Sequence, residues 1–240
     1  MYILSLDSTA VAATVALCDG EKLLSLTTVQ NGNTHSQTLL PMVEETLARF
    51  ALRPLDIELF ACSAGPGSFT GVRIGASTIK GLAFDTDIPC LGVSTLEALA
   101  QNLIGFDGLL CPVMNARRNQ VYNALFDCQN GTITRLCDDR AIALDALDEE
   151  LSAIHDKPIY LVGDGYELAL KQLSKCADHI RPTPVLLRTQ NAYSVAQVAL
   201  ALYESGVRTS DRELVPVYLR PCQAERERLE RLEKESSTHA

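Results

Sequence analysis

The sequence predicts an α/β protein built in two similar halves. Strand-like runs are repeatedly followed by helix-like ones, and each half starts with hairpin strands before that alternation sets in. Tyr2 to Leu6, Ala12 to Cys18 and Lys22 to Thr28 are short apolar runs parted by Asp7, Ser8 and Thr9 and then by the pair Asp19 and Gly20, which reads as an antiparallel meander. From His35 to Phe50 the period becomes helical. Leu39, Leu40, Val43, Leu47 and Phe50 share a face, Met42 widens that stripe on its other edge, and Glu44, Glu45 and Arg49 point away. Pro41 falls in the first two turns, where a missing amide is tolerated.

Ile57 to Ser63 reads as a buried strand feeding the glycine-rich turn Gly65 to Gly71 and a second helix up to about Phe84. Cys90 to Val93 is the next strand, and a helix starts near Ser94 or Thr95 with Glu97 in its first turn. Gly105 to Gly108 marks a boundary, giving an N-terminal lobe over 1–105 and a C-terminal lobe over 106–222. The second lobe opens with Leu109 to Met114, a turn at Asn115 to Asn119, and Val121 to Asp127. An acidic, partly helical stretch spans Asp138 to Asp156. Strand Ile159 to Val162, the turn Gly163, Asp164, Gly165, helix Tyr166 to Lys175 and helix Ala192 to Tyr203 complete it. From Gln223 a tail of Glu, Arg, Leu and Lys has Glu227 and Arg231, and Glu230 and Lys234, spaced for helical ion pairs.

Composition narrows the function. The 240 residues are 47% hydrophobic, which suffices for a sizeable core and excludes global disorder. With 21 Lys and Arg against 30 Asp and Glu the formal charge is -9, so the surface repels polyphosphate and no direct nucleic-acid contact is expected. Trp is absent, which leaves few base-stacking platforms. Eight cysteines lie at spacings that match neither metal knuckles nor redox motifs and read as reduced, mostly buried thiols. No basic leader or apolar run of membrane length is visible, so the expected setting is the cytoplasm, with no membrane contact.

The sharpest motif is Gly65 to Gly75, GPGSFTGVRIG, placed where a strand turns into a helix and where exposed amides could hold an anion. Phosphate signatures do not fit it. Val72 and Arg73 stand where a P-loop needs Lys and Ser or Thr, and Gly65, Gly67 and Gly71 miss the dinucleotide spacing by one residue. A nucleophile elbow fails because Ser68 directly follows Gly67. The residues alone favour a structural turn with close helix packing over phosphate binding. The helix that follows is apolar nearly all round apart from Arg73 and Lys80, and it carries Gly71, Gly75 and Gly81, each costing up to about 1 kcal/mol relative to Ala. This predicts close backbone approach, either within the chain or at a subunit interface formed with the His35 to Phe50 helix. In the interface case, a bulky residue at Gly75 breaks association and leaves the monomer folded.

Asp7, Ser8 and Thr9 suit a plain turn, and also a carboxylate and hydroxyls facing a metal-bound phosphate. His35, His155, His179 and His239 are scattered and offer no helical metal pair. Arg117 and Arg118 sit in a hairpin turn, where they could grip an anion or simply be solvated.

Taken together, Asp7, Ser8 and Thr9, the GPGSFTGVRIG segment, Lys80, Gly81 and Leu82, Asn115 to Tyr122 (NARRNQVY) and Pro216 to Arg220 (PVYLR) closely resemble the bacterial TsaB family, also called YeaZ, of tRNA threonylcarbamoyladenosine biosynthesis proteins. The resemblance spans residues 1 to about 221. It implies the two-lobed fold of the actin and sugar-kinase ATPase superfamily, each lobe a mixed sheet of ribonuclease-H type. It also implies a non-catalytic subunit that supports TsaD, the catalytic protein, with the ATPase TsaE as a third partner and a homodimer when TsaD is absent. The interface it implies is a helical bundle involving His35, Leu39, Met42, Val43, Gly71, Ile74, Gly75, Thr78 and Leu82. Asp7, Ser8, Gly67, Ser68 and Arg117 are the expected nucleotide or anion contacts.

TsaD carries two metal-binding histidines four apart on the helix matching Val93 to Leu99, and Thr95 and Leu99 stand there instead. No metal and no cofactor are therefore expected. Ser8 and Thr9 also occur in the reverse of the family's usual order. The rival readings are an ATP-dependent phosphotransferase using Asp7 and the Gly65 to Gly71 turn, and a metallopeptidase of the same superfamily.

Overall fold

A computed structural model describes residues 1–220, so the charged tail from Gln223 lies outside the described residues. Strands β1 (Tyr2–Asp7), β2 (Ala13–Asp19) and β3 (Lys22–Val29) form the expected meander. Next come α1 (His35–Arg49), β4 (Leu59–Gly65), α2 (Phe69–Leu82), β5 (Cys90–Ser94) and α3 (Thr95–Gln101). The first sheet runs β3-β2-β1-β4-β5, with β4 parallel to both β1 and β5. β1 and β4 lie inside it and are buried on both faces, which is why they read as continuous apolar runs rather than alternating ones.

The second half repeats the plan. It contains β6 (Gly108–Arg117), β7 (Gln120–Asn123), β8 (Phe126–Gln129), β9 (Thr132–Arg135), β10 (Arg140–Ala143), α4 (Leu144–Ser152), β11 (Ile159–Val162), α5 (Tyr166–Gln172), β12 (Ile180–Arg181) and α6 (Ala192–Glu204). Its sheet order β10-β7-β6-β11-β12 matches the first sheet position for position, with β8 and β9 added beside β6. The run Val121 to Asp127, expected as one strand, breaks at Ala124 and Leu125. Opposite the break β6 carries Pro112, which has no N–H to give the ladder. The Leu125 N–H turns instead to Cys137 Sγ (3.2 Å), and the Asn123 side-chain amide donates to the Pro112 carbonyl (2.9 Å).

Helices α1 and α2 cover one face of the first sheet, packing on Leu4, Leu6, Val15, Leu17, Phe60 and Cys62. The opposite face, with Ile3, Ala16, Leu59, Ala61 and Val93, is covered by α6. Helices α4 and α5 cover the outer face of the second sheet, and α3 packs on its inner face against Leu110, Met114, Phe126 and Val162. Each half thus lends its last helix to the other half's sheet. The expected boundary at 105/106 divides the strands but not the cores, because residues 192–200 and Leu214 pack on the first sheet. An ion-pair brace also spans the two halves: Arg135 donates to Glu97 (2.8 Å) and Asp139 (2.6 Å), and the hydroxyl of Ser94, the N-cap of α3, donates to Asp139 (2.5 Å).

The buried stripe of α1 is Leu39, Met42, Val43, Thr46 and Leu47, whereas Leu40 and Phe50 are 45% and 40% exposed. The apolar arc written in the sequence is wider than one sheet surface can cover, and the sheet takes the Met42 side. On α2, a Cβ at Gly71 would collide with the Ser8 carbonyl, and one at Gly75 would lie 2.9 Å from Ser8 Oγ and 3.2 Å from Leu6 Cδ1. Close approach at these two glycines is therefore internal. Leu39, Met42, Val43, Gly71 and Gly75 are already buried by the chain's own core, so they present no surface for a helical bundle. Gly81 differs, because among the described residues nothing beyond its own helix and chain neighbours lies within 4 Å of its would-be Cβ.

Two substitutions separate these roles. Gly75→Leu is expected to destabilise the isolated chain by about 3 kcal/mol through overpacking, instead of only dissociating subunits. Gly81→Ala is expected to stabilise it by up to about 1 kcal/mol through helix propensity. Thermal melts of the two variants check both.

Candidate functional site

Between the two halves lies a cleft of about 740 Å³, built from equivalent turns of the repeat. The first half contributes Thr9 to Val11 from the β1–β2 turn and Pro66 to Thr70 from the β4–α2 turn. The second contributes Met114 to Arg117 from the β6–β7 hairpin and Asp164 from the β11–α5 turn, and the segment Val217 to Arg220 closes one side. Strand ends and their turns gather at such a position because both sheets direct their parallel strands to the same edge of the molecule.

Of the residues singled out for anion contact, Gly67, Ser68 and Arg117 line this cleft, but Asp7 and Ser8 do not. Asp7 is 1% exposed and is consumed by the fold. Its carboxylate accepts the Thr9 N–H (2.7 Å), the Thr9 hydroxyl (2.8 Å) and the Ser63 hydroxyl (2.5 Å). Burial pushes its carboxyl up, and those three donors work against the rise. The Ser8 hydroxyl donates to the Gly71 carbonyl (2.8 Å). Ser68 caps α2 by accepting the Gly71 N–H (3.3 Å), and its own N–H donates to the Thr9 carbonyl (2.7 Å). The GPGSFTG turn is thus bolted to the β1–β2 turn, as the structural reading expects. The N-terminal residue of α1 joins them, since the His35 ring lies 2.6 Å from the Ala10 carbonyl.

Asp164 carries no role expected from sequence, although its place in Gly163-Asp164-Gly165 mirrors the Gly65-Pro66-Gly67 turn of the first half. Asp164 is exposed toward the cleft, with its carboxyl flanked by the cleft walls. Partial desolvation by those walls, with the Asp7 carboxylate nearby adding to it, pushes it up to about 6, while the N–H groups of Asn115 and of Asp164 itself oppose the rise. Also missed was the closing segment: the Phe69 and Tyr218 rings stack at 4.7 Å, and the Arg73 guanidinium sits 3.9 Å from the Phe69 centroid. Pro216 to Arg220 stands out in sequence as a motif, but its placement depends on a contact 145 residues away in sequence, between Arg73 and Tyr218.

Thr95 and Leu99, which the resemblance sets in place of two metal-binding histidines, are 0% and 1% exposed in α3, and the Thr95 hydroxyl has no hydrogen-bond partner among the described residues. A hydroxyl and an isobutyl group are poor donors to iron or zinc, so these residues do not fit such a metal. Among the described residues no group of three or more His, Cys, Asp or Glu is placed to hold a metal ion. His155 and His179, far apart in sequence, come within 5.8 Å centroid to centroid. No helix among the described residues is long and apolar enough to cross a membrane.

Because the folded Asp164 binds its proton more tightly than the unfolded chain does, folding is disfavoured progressively as pH rises from about 4 through about 6. Asp164→Asn removes that effect. Its melting temperature is expected to exceed the parent's above pH 6 and to converge with it near pH 4, which a pH series of melts will show.

Comparison with known proteins places this architecture. A family model described as TsaD, tRNA N6-adenosine threonylcarbamoyltransferase, matches residues 29–226. The tRNA threonylcarbamoyladenosine biosynthesis protein TsaB of Bacillus subtilis is 31% identical over 94% of this chain and 96% of its own. The solved structure of YeaZ from Pseudomonas aeruginosa superimposes with a TM-score of 0.72 at 25% identity, covering 91% of this chain and 99% of that one. A ROK hexokinase from Thermus thermophilus shares the fold alone, with a TM-score of 0.50 at 12% identity over 86% of this chain and all of that one. The duplicated sheets share the fold of that hexokinase, and the chain belongs to the TsaB family, whose role is in forming N6-threonylcarbamoyladenosine in tRNA.

Proposed function

We propose that this chain is the non-catalytic subunit of the transferase, which docks on the catalytic TsaD protein through the outer face of α1 and α2. The observation that carries the reading is Gly81. It stands on the exposed face of α2, where glycine weakens the helix and nothing among the described residues requires its lack of a side chain. A second helix approaching closely does require it. On α1 and α2 and just past α2, Phe84 is 75% and Leu40 45% exposed, while His35, Ile74, Thr78 and Leu82 are half-buried and keep surface for a partner.

The chemistry of the site supports a supporting role. Asp7, Ser8 and Ser68, the groups a phosphotransferase would need free, are hydrogen-bonded within the fold. Thr95 and Leu99 supply no imidazole where the catalytic relative holds its metal. With a net charge of -9, tRNA is left to the partners. The working setting is the cytoplasm, with the ATPase TsaE as a third component and a homodimer through the same face when TsaD is missing.

One reconstitution tests this. The catalytic subunit and TsaE are expected to modify tRNA only when this chain is added, and full modification without it overturns the reading. Gly81→Leu is expected to weaken association with the catalytic subunit by tenfold or more, about 1.4 kcal/mol, while the isolated chain melts no lower than the parent. Isothermal titration and melting curves on the same preparation read both effects.

A further inference from the structure

The segment that closes the cleft touches both halves. Leu214 is buried in the core under α1 and α2. The Val217 N–H donates to the Ala64 carbonyl (2.7 Å), and Gly65 at φ 123° lacks the Cβ that would collide with the Val217 carbonyl. Tyr218 then lies on Phe69, and its hydroxyl accepts a hydrogen bond from Arg73 Nε (2.8 Å). Arg73 belongs to the exposed face of α2. Two residues further on, Arg220 Nη1 donates to the Ala116 carbonyl in the β6–β7 hairpin (2.9 Å).

That hairpin is strained. Directly after Ala116, Arg117, Arg118 and Asn119 stand at φ 62°, 54° and 60°, three consecutive non-glycine residues in the left-handed region. Inside the hairpin, the Arg117 N–H donates to the Asn115 side chain (2.8 Å). From outside, Arg220 holds the Ala116 carbonyl, beside the Leu144 N–H on the Asn119 carbonyl (3.2 Å) and the Asp164 carboxylate on the Asn115 N–H. The contacts at the other end are partly open to solvent, with Tyr218 40% and Val217 48% exposed. A protein arriving over α2 therefore meets Arg73 and Tyr218 at the surface, while the far end of the same six-residue stretch controls a turn that lines the cleft of the other half.

We propose that Val215–Arg220 is a latch coupling the outer face of α2 to the β6–β7 hairpin: docking of the partner subunit over Arg73 frees Tyr218, Arg220 leaves the Ala116 carbonyl, and the hairpin relaxes to widen the cleft. This rests on the reading that α2 receives the partner. Arg73 acts here as a positioning residue, through Tyr218.

Hydrogen exchange on the full chain tests the latch without any partner. Arg73→Ala, Tyr218→Ala and Arg220→Ala are each expected to speed amide exchange over residues 115–119 by about threefold to tenfold relative to β4, the range for one lost tether. The Arg73→Ala, Arg220→Ala double variant is expected to match Arg220→Ala alone, because both act on one path. Arg49→Ala, on the surface of α1, is expected to change nothing there. Parent-like exchange in Arg73→Ala, or a double variant that sums the singles, overturns the latch. Adding the catalytic subunit is then expected to speed hairpin exchange in the parent but not in Arg220→Ala. If the two proteins co-elute and the parent hairpin stays protected, the coupling is overturned and the docking stands. If they do not co-elute, the docking itself falls.

Discussion

The cleft end of this protein depends on how near the backbone of α2 comes to the turn after β1. Gly71 and Gly75 let the helix lie against Ser8, and the Ser8 hydroxyl, the Thr9 carbonyl and the Ser68 cap then join the two turns into one unit. Asp7 sits beneath it, buried and fully hydrogen-bonded, and so acts as an internal bolt. A side chain at either glycine separates the turns, loosens Asp7 and leaves a buried carboxyl short of donors. Asp7, Ser8 and Ser68 are thus committed to holding α2 in place.

The same constraint sorts the surface of α2. The residues that touch the sheet cannot also touch a partner, so any subunit contact is confined to the opposite stripe of Arg73, Ser77, Gly81 and Phe84 with the edges formed by Ile74, Thr78 and Leu82. Glycine thus has two meanings within one helix. At Gly71 and Gly75 the close neighbour is Ser8, and at Gly81 the described residues supply none.

Much of the fold was legible because its signals are local. The meander β1 to β3, the cap at Ser94 and the strand β11 follow from apolar periodicity and from turn or cap residues a few positions apart. The family was legible from motifs. What sequence could not separate was an inner glycine from an outer one, since helical periodicity tells how wide an apolar arc is and not which neighbour covers it. The break between β7 and β8 was written in Pro112, but reading it requires the register of β6 against a strand more than ten residues on. Asp164 and the Arg73–Tyr218 contact were hidden for the same reason, because they become a site only when two halves and a returning segment meet.

The exchange of α3 and α6 between the sheets has a consequence for synthesis. As the first half leaves the ribosome it can pair its five strands and lay α1 and α2 on one side, but the face bearing Ile3, Ala16, Leu59 and Val93 waits for α6. That helix ends only at Glu204. A bare apolar face persists through most of translation, and the two halves must then complete each other in one late, cooperative step of high contact order. During that interval the nascent chain is a natural client for chaperones, and the sheet face exposed is the one that later holds the molecule together.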